Sequence, residues 1–307
     1  MINGLEERIL LIFSHTFQFS YPLTKEEIIL RFVGNIDDIS DDDLYKSLSK
    51  LLADGKLFFT NGFYHIDKDG ESVKIRLNRM AYSKEKWQEV ESFVRKVRSL
   101  PSVLGILVTG SLALDNVTKN DDIDFFIITE NNRLWLTRII ISIFALFNGK
   151  KRSWHGRFQN TWCLNMWLEI DRIKLPDRLR NIYGSFEVVQ AVWVYDKKNT
   201  KEQFFTINSW AKNYLPNYYE YQKNNSSRIS KIDHNNIINN NIAVVENKLV
   251  NELLNLLNYL AYYLQKLYMI PHITREKVGK SFAFFHPRDT KKIILGKWYK
   301  KYLELVS

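Results

Sequence analysis

The stretch Gly105 to Thr129, GILVTGSLALDNVTKNDDIDFFIIT, decides how this chain is read. An apolar run ends in Gly110-Ser111, ten residues intervene, and Asp122-Ile123-Asp124 opens a second apolar run, Phe125 to Ile128. The pattern is strand, tight turn, loop and strand, with two carboxylates where the second strand begins. Strand residues alternate faces, so Asp122 and Asp124 project to one side and Ile123 and Phe125 to the other. Carboxylates about 7 Å apart on one strand face repel unless a cation lies between them. Mg²⁺ suits that place because it takes oxygen ligands, keeps several waters and shares itself with substrate phosphates. Gly110 lets backbone approach a phosphate with no Cβ in the way, and Ser111 adds a hydroxyl and an N–H donor. These features point to a site for a metal-bound nucleotide.

The constellation of Gly110, Ser111, Asp122, Ile123 and Asp124 resembles the signature of the polymerase beta type nucleotidyltransferase superfamily. That signature is a hydrophobic strand, Gly-Ser or Gly-Gly, a spacer, and Asp-hydrophobic-Asp leading a second hydrophobic strand. The resemblance implies transfer of a nucleoside monophosphate from an NTP to a hydroxyl-bearing acceptor, with pyrophosphate released. It implies Asp122 and Asp124 as catalytic metal ligands for Mg²⁺ or Mn²⁺, and Gly110 and Ser111 as a cradle for the β and γ phosphates. Members of the superfamily usually supply a third carboxylate from a following strand. Here Thr161 to Ile170, TWCLNMWLEI, reads as that strand, and the position flanked by hydrophobic residues is Asn165. Glu169 follows four residues on, on the same strand face as Asn165. Asn165 ranks first as the equivalent position and Glu169 second, with Glu187 a further acid if the fold brings it near. The acceptor stays open between RNA, protein and a small molecule. The alternative is a catalytically attenuated protein of this fold that binds nucleotide, nucleic acid or a partner protein.

Composition sets the frame. The chain has 307 residues, 45% of them hydrophobic and 14% aromatic, ample for two or three domains with real cores. The single cysteine, Cys163, rules out a disulfide framework and a Cys-based zinc site. Apolar stretches such as Ile139 to Ile141 and Ile143 to Phe147 fall well short of the ~20 residues that cross a bilayer. A cytoplasmic protein with no membrane span is expected. The net charge of +10 is uneven, with −3 on residues 1–80 and +13 on residues 81–307, so a polyanion should meet the second part.

Three domains are expected: a winged-helix-like unit at 1–80, a mixed α/β nucleotidyltransferase-like core at 81–220, and a helical C-terminal region at 221–307, an α+β protein overall. Helical stripes at Leu5 to Phe17, after Thr24 and from Asp41, followed by a hairpin turning at Asn61-Gly62, resemble a winged helix. Its third helix opens with Asp41, Asp42 and Asp43, which favours protein contact or substrate positioning over DNA binding. Transcription regulation through this unit is disfavoured on the same ground.

Ser83 to Leu100 reads as a connecting helix and Arg133 to Phe147 as an apolar helix packed on the sheet. The basic loop after it carries Lys150, Lys151, Arg152, His155 and Arg157. Lys150 and Arg152 are candidate triphosphate contacts, against the plainer reading of a solvated loop. Gln222 to Asn241, rich in Asn, reads as a connection, and Ile242 to Met269 as a core-facing helix. The tail interleaves Lys and Arg with Phe282, Phe284, Phe285, Trp298 and Tyr299. It is either a nucleic-acid surface or a helical end-piece with its aromatics turned inward.

Overall fold

Thr24 and Ser40 start helices in the same way. The Thr24 hydroxyl accepts from the Glu27 N–H while the Glu27 carboxylate accepts from the Thr24 N–H, and Ser40 and Asp43 repeat the exchange. Each reciprocal cap satisfies two donors that a helix start leaves over. They open α2 (Lys25–Leu30) and α3 (Asp41–Ala53), which follow α1 (Leu5–Phe17). The hairpin of β1 (Phe58–Thr60) and β2 (Phe63–His65) comes next. Its turn residues Asn61 and Gly62 have φ of 50° and 84°, the left-handed pair that a tight hairpin needs. Leu23 bridges Tyr64 antiparallel, and Ile9, Phe13, Leu23, Ile28, Leu48 and Leu57 fill the module's core. The computed structural model describes residues 4–35, 39–151, 159–225, 248–272, 277–285 and 290–307.

The next helix, α4 (Glu71–Val97), runs unbroken across the boundary expected at 80/81 and begins well before Ser83. The cause is that polar residues are buried where an apolar stripe would announce a helix: Arg76 and Ser83 in its first half and Lys86 just beyond. Arg76 makes paired hydrogen bonds of 2.7 and 2.6 Å to the Glu27 carboxylate and lies 4.1 Å from the Tyr21 ring centre. Burial works against a charge on Glu27, yet Arg76 and Arg31 hold its carboxyl below the usual range. A desolvated, fork-shaped ion pair thus locks α2 to α4.

The main sheet comprises β3 (Val103–Thr109), β4 (Ile123–Thr129), β5 (Trp162–Glu169), β6 (Val192–Asp196), β7 (Lys277–Gly279) and β8 (Phe282–Phe284). Their order is β6-β3-β4-β5-β8-β7. Among the described strands β4 and β5 alone pair in parallel, joined by the crossover helix α5 (Leu134–Phe147), and the other strand pairs are antiparallel. One face packs on α4, α5 and α9 (Lys248–Met269) through Phe93, Phe125, Trp135, Trp167 and Tyr262. The other packs on α6 (Ile182–Gln190), α7 (Thr200–Ile207), α8 (Pro216–Asn224) and α10 (Thr290–Val306), through Phe126, Phe186, Phe204, Tyr219 and Trp298. The architecture is α+β, as the sequence leads one to expect.

The C-terminal region departs from a purely helical one. Phe282–Phe284 hydrogen-bonds along β5 and Lys277–Gly279 extends the sheet beyond it. Strands of three residues are too short to show an alternation, so the aromatics there read as helix. Most of the Asn-rich connection, residues 226–241, lies outside the described residues. No described helix is long and apolar enough to cross a membrane.

His15 on α1 is buried, stacked on Phe186 at 4.3 Å and tilted against Trp298 at 4.5 Å. Burial, reinforced by Arg31, pushes its imidazole down to about 3. Because the folded value lies below the unfolded one of ~6.5, the stability His15 contributes is present above pH ~6.5 and lost as pH falls toward 3. Chemical denaturation between pH 7 and 5 should show a slope of up to ~1.4 kcal/mol per pH unit that is absent in His15→Phe.

Candidate functional site

Strand register brings the expected residues to one point. Thr109 pairs with Asp124, and Asp124 pairs with Cys163 on the other side, so Gly110 and Asn165 both lie beside the Asp124 carboxylate. Gly110 has φ +68°, and a Cβ there would stand 2.5 Å from Asp124 Oδ2. The position therefore requires glycine twice over, for its backbone conformation and for the space the carboxylate occupies. Asp122, Asp124 and Cys163 place carboxylate oxygens and Sγ within 4.8 Å of one another, the metal-competent cluster found among the described residues.

The loop that carries Ser111 is tied down by its own acid and by α4. Asp121 accepts from the Thr118 N–H at 2.8 Å, the Thr118 hydroxyl at 2.6 Å and the Ser111 hydroxyl at 3.3 Å. From α4, the Trp87 indole N–H donates to Asp115 at 2.6 Å. Buried Lys86 donates to the Asp121 carbonyl at 2.7 Å and to Asn160 Oδ1 at 2.6 Å. Burial lowers the Lys86 ammonium below its usual value, while Asp121 and Asp122 oppose that shift. Lys86 is thus a cation built into the floor behind Asp122, and sequence reading passed it over. The available signal was a lysine on the buried stripe formed by Ser83, Trp87, Val90 and Val94. The loop also meets the N-terminal module, since Asn116 Nδ2 donates to the Phe19 carbonyl at 3.1 Å and Arg79 donates to the same oxygen at 2.7 Å.

Asn165 lies where the third carboxylate was sought. Its amide nitrogen donates to Asp124 Oδ1, and its carbonyl oxygen accepts from the Cys163 thiol. The register shifts here, because Asp124 pairs with Cys163 while Phe126 pairs with Met166, so β5 carries an extra residue. Such a bulge re-aims side chains and flips the alternation that follows. Cys163 and Asn165 accordingly share a face with Asp124, whereas Met166 and Leu168 take that face further along.

Glu169 is consequently on the opposite face from Asn165, against the expectation of a shared one. It pairs with Thr129 at the far end of the strand, and its Oε1 accepts from the N–H groups of Arg133 and Leu134 at 3.2 and 3.3 Å, capping α5. Burial raises its carboxyl above the usual value although these N–H groups pull it down. A raised folded value means the stabilisation is full below the unfolded value and is lost as pH rises through the folded one. Glu169→Gln keeps an oxygen for the cap and removes the buried charge. It should leave site chemistry unchanged and hold or raise the melting temperature at pH 7, checked by thermal unfolding beside an activity assay.

Glu187 sits exposed on α6. Lys150 pairs with Glu89 of α4 at 3.0 Å, so its ammonium is engaged by that carboxylate. Arg152 lies outside the described residues, as do His155 and Arg157.

Residues 90–188 match the family model described as a nucleotidyltransferase domain, a span that contains β3, β4, α5 and β5 and every residue of the acidic site. No curated protein and no solved structure gives a significant match.

Proposed function

We propose, on the premise of that nucleotidyltransferase domain, that the chain transfers a nucleoside monophosphate from an NTP to a hydroxyl of an acceptor molecule. The observation that carries this reading is the seat of Asp124 against Gly110: a carboxylate held in the space of a missing Cβ, one alternation from a second carboxylate. Two hard oxygen donors on one strand face fit Mg²⁺ or Mn²⁺, and the thiol of Cys163 is the softer neighbour of that set. When bound, the ion neutralises triphosphate charge and polarises the transferred phosphorus. Asp122 and Asp124 would hold it. The open backbone at Gly110 and the donors of Ser111 would receive the phosphate oxygens, with Lys86 and Asp121 keeping that loop in register.

A second reading rests on Asn165. An amide that donates to Asp124 cannot take a proton from an attacking hydroxyl, so a member so equipped binds nucleotide and turns it over slowly. A missing general base costs 10²–10⁴-fold, on the order of an attenuated enzyme and not a dead one. Incubation with α-labelled NTPs and a panel of RNA, protein and small-molecule acceptors decides between the readings. Transfer that rises about tenfold or more in Asn165→Asp identifies an attenuated enzyme. No transfer by either form supports the binding protein.

The acceptor belongs to the basic part of the chain, residues 81–307 with net +13, which favours a polyanion. The N-terminal module, read as a winged helix, would position acceptor or partner, because the start of α3 presents three aspartates. A cytoplasmic setting suits an NTP-consuming protein with a single thiol.

A further inference from the structure

Helix α9 faces inward through Ala261, Tyr262 and Met269 and, beside them, through a row of amides. Asn258 accepts from the Trp135 and Leu136 N–H groups at 2.9 and 3.0 Å, and Gln265 donates to the Trp135 carbonyl at 2.9 Å. Arg133 donates to Asn255 at 2.6 Å and to Asn251 at 3.2 Å. Asn251, Asn258 and Gln265 recur every seven residues, so the seven-residue frame of the helix is anchored to its own domain by amides.

The opposite side carries Leu253, Leu256, Leu260, Tyr263 and Leu267, spaced alternately by three and four. All five are exposed, Leu267 by 65% and Leu253 by 56%, and none joins a packed cluster of described residues. An amphipathic helix on a globular domain turns such a stripe inward. This one turns outward the seam that a two-helix coiled coil buries. A contiguous stripe of exposed apolar side chains of this length is the mark of an interaction surface.

The charges beside the seam select the occupant. Glu252 and Lys266 sit at equivalent flanking positions two heptads apart, with the other flanking residues apolar or Tyr259. In a parallel pair Glu252 would meet Leu257 of the other helix, and no ion pair forms. In an antiparallel pair about a two-fold axis near Asn258, Leu256 meets Leu260 and Leu253 meets Tyr263. Glu252 of each copy then falls beside Lys266 of the other, giving two ion pairs from one symmetric arrangement.

We propose that the chain forms a two-fold symmetric homodimer through antiparallel pairing of its α9 helices. Helix α9 is tied to the start of α5, beside Glu169 and at the opposite end of β4 from Asp124, and the surface is independent of the reaction assigned to the acidic site.

Light scattering after size exclusion, and sedimentation equilibrium, on the full chain test it. The expected mass is twice 36.5 kDa with a Kd of about 1 µM or tighter. Leu256→Asp with Leu260→Asp should give a monomer with unchanged circular dichroism, because the inner amide contacts remain. Glu252→Lys should weaken the dimer about tenfold, and adding Lys266→Glu should restore it to within about threefold. A wild-type monomer at about 50 µM overturns the proposal, as does a dimer that survives both Leu substitutions. A dimer indifferent to Glu252→Lys, or not restored by the exchange, overturns the antiparallel arrangement.

Discussion

Asp122→Asn combined with Asp124→Asn will abolish the metal-dependent part of NTP binding and lower any transfer activity by roughly 10³-fold. The substitution keeps the shape of both side chains and removes the charge that would hold a divalent ion. It also removes the repulsion between carboxylates whose oxygens lie within 4.8 Å, so the variant should unfold no earlier than the wild type. That combination separates loss of a site from loss of a fold. Calorimetric titration of ATP and GTP, with and without Mg²⁺ or Mn²⁺, reads the first, and thermal unfolding reads the second. Unchanged metal-dependent binding in the double variant would remove the site assignment.

Gly110→Val should also damage function, by less, while leaving both carboxylates in the chain. At φ +68° a branched side chain is strained by about 1–3 kcal/mol, and its Cβ would stand 2.5 Å from Asp124 Oδ2. Either the turn or the carboxylate must give way, and displacement of a metal ligand by about 1 Å costs on the order of 10²-fold. Gly110→Ala carries the same clash with less strain and should fall between. The measurement is transfer or metal-dependent binding for the two variants against the wild type. Equal activity in all three would show that Asp124 is not held where the cradle puts it.

How much of this was legible beforehand follows from local signals. The Gly-Ser turn, the ten-residue spacer and the acidic strand start are contiguous in sequence, so β3, β4 and the acidic pair could be read directly. Capping residues Thr24 and Ser40 likewise announce their helices without any tertiary information. The bulge in β5 could not be read, because an extra residue shows only against a partner strand. Strict alternation therefore put Glu169 beside Asn165 when it caps α5 instead. Arg76 and Lys86 hid for the related reason that a buried ionic group is justified by its partners, here Glu27 and the Asp121 carbonyl, which lie far along the chain. The short strands of the tail gain their identity from the open edge of β5 and carry little of their own.

That edge has a bearing on how the protein is made. A ribosome releases the acidic strand and its neighbours β3 and β5 early, yet β5 lacks its outer partner until residues 277–285 have emerged. Trp135, at the heart of the sheet-facing helix, likewise waits for the Gly279 and Lys280 carbonyls that receive its indole N–H. During synthesis the half-finished domain exposes a hydrogen-bonding edge and an unfilled core, the state in which chains pair wrongly and call on chaperones. Completion of the sheet is thereby postponed until residues 277–285 have been made, so that a product truncated before them is a misfolding hazard and not a smaller version of the protein.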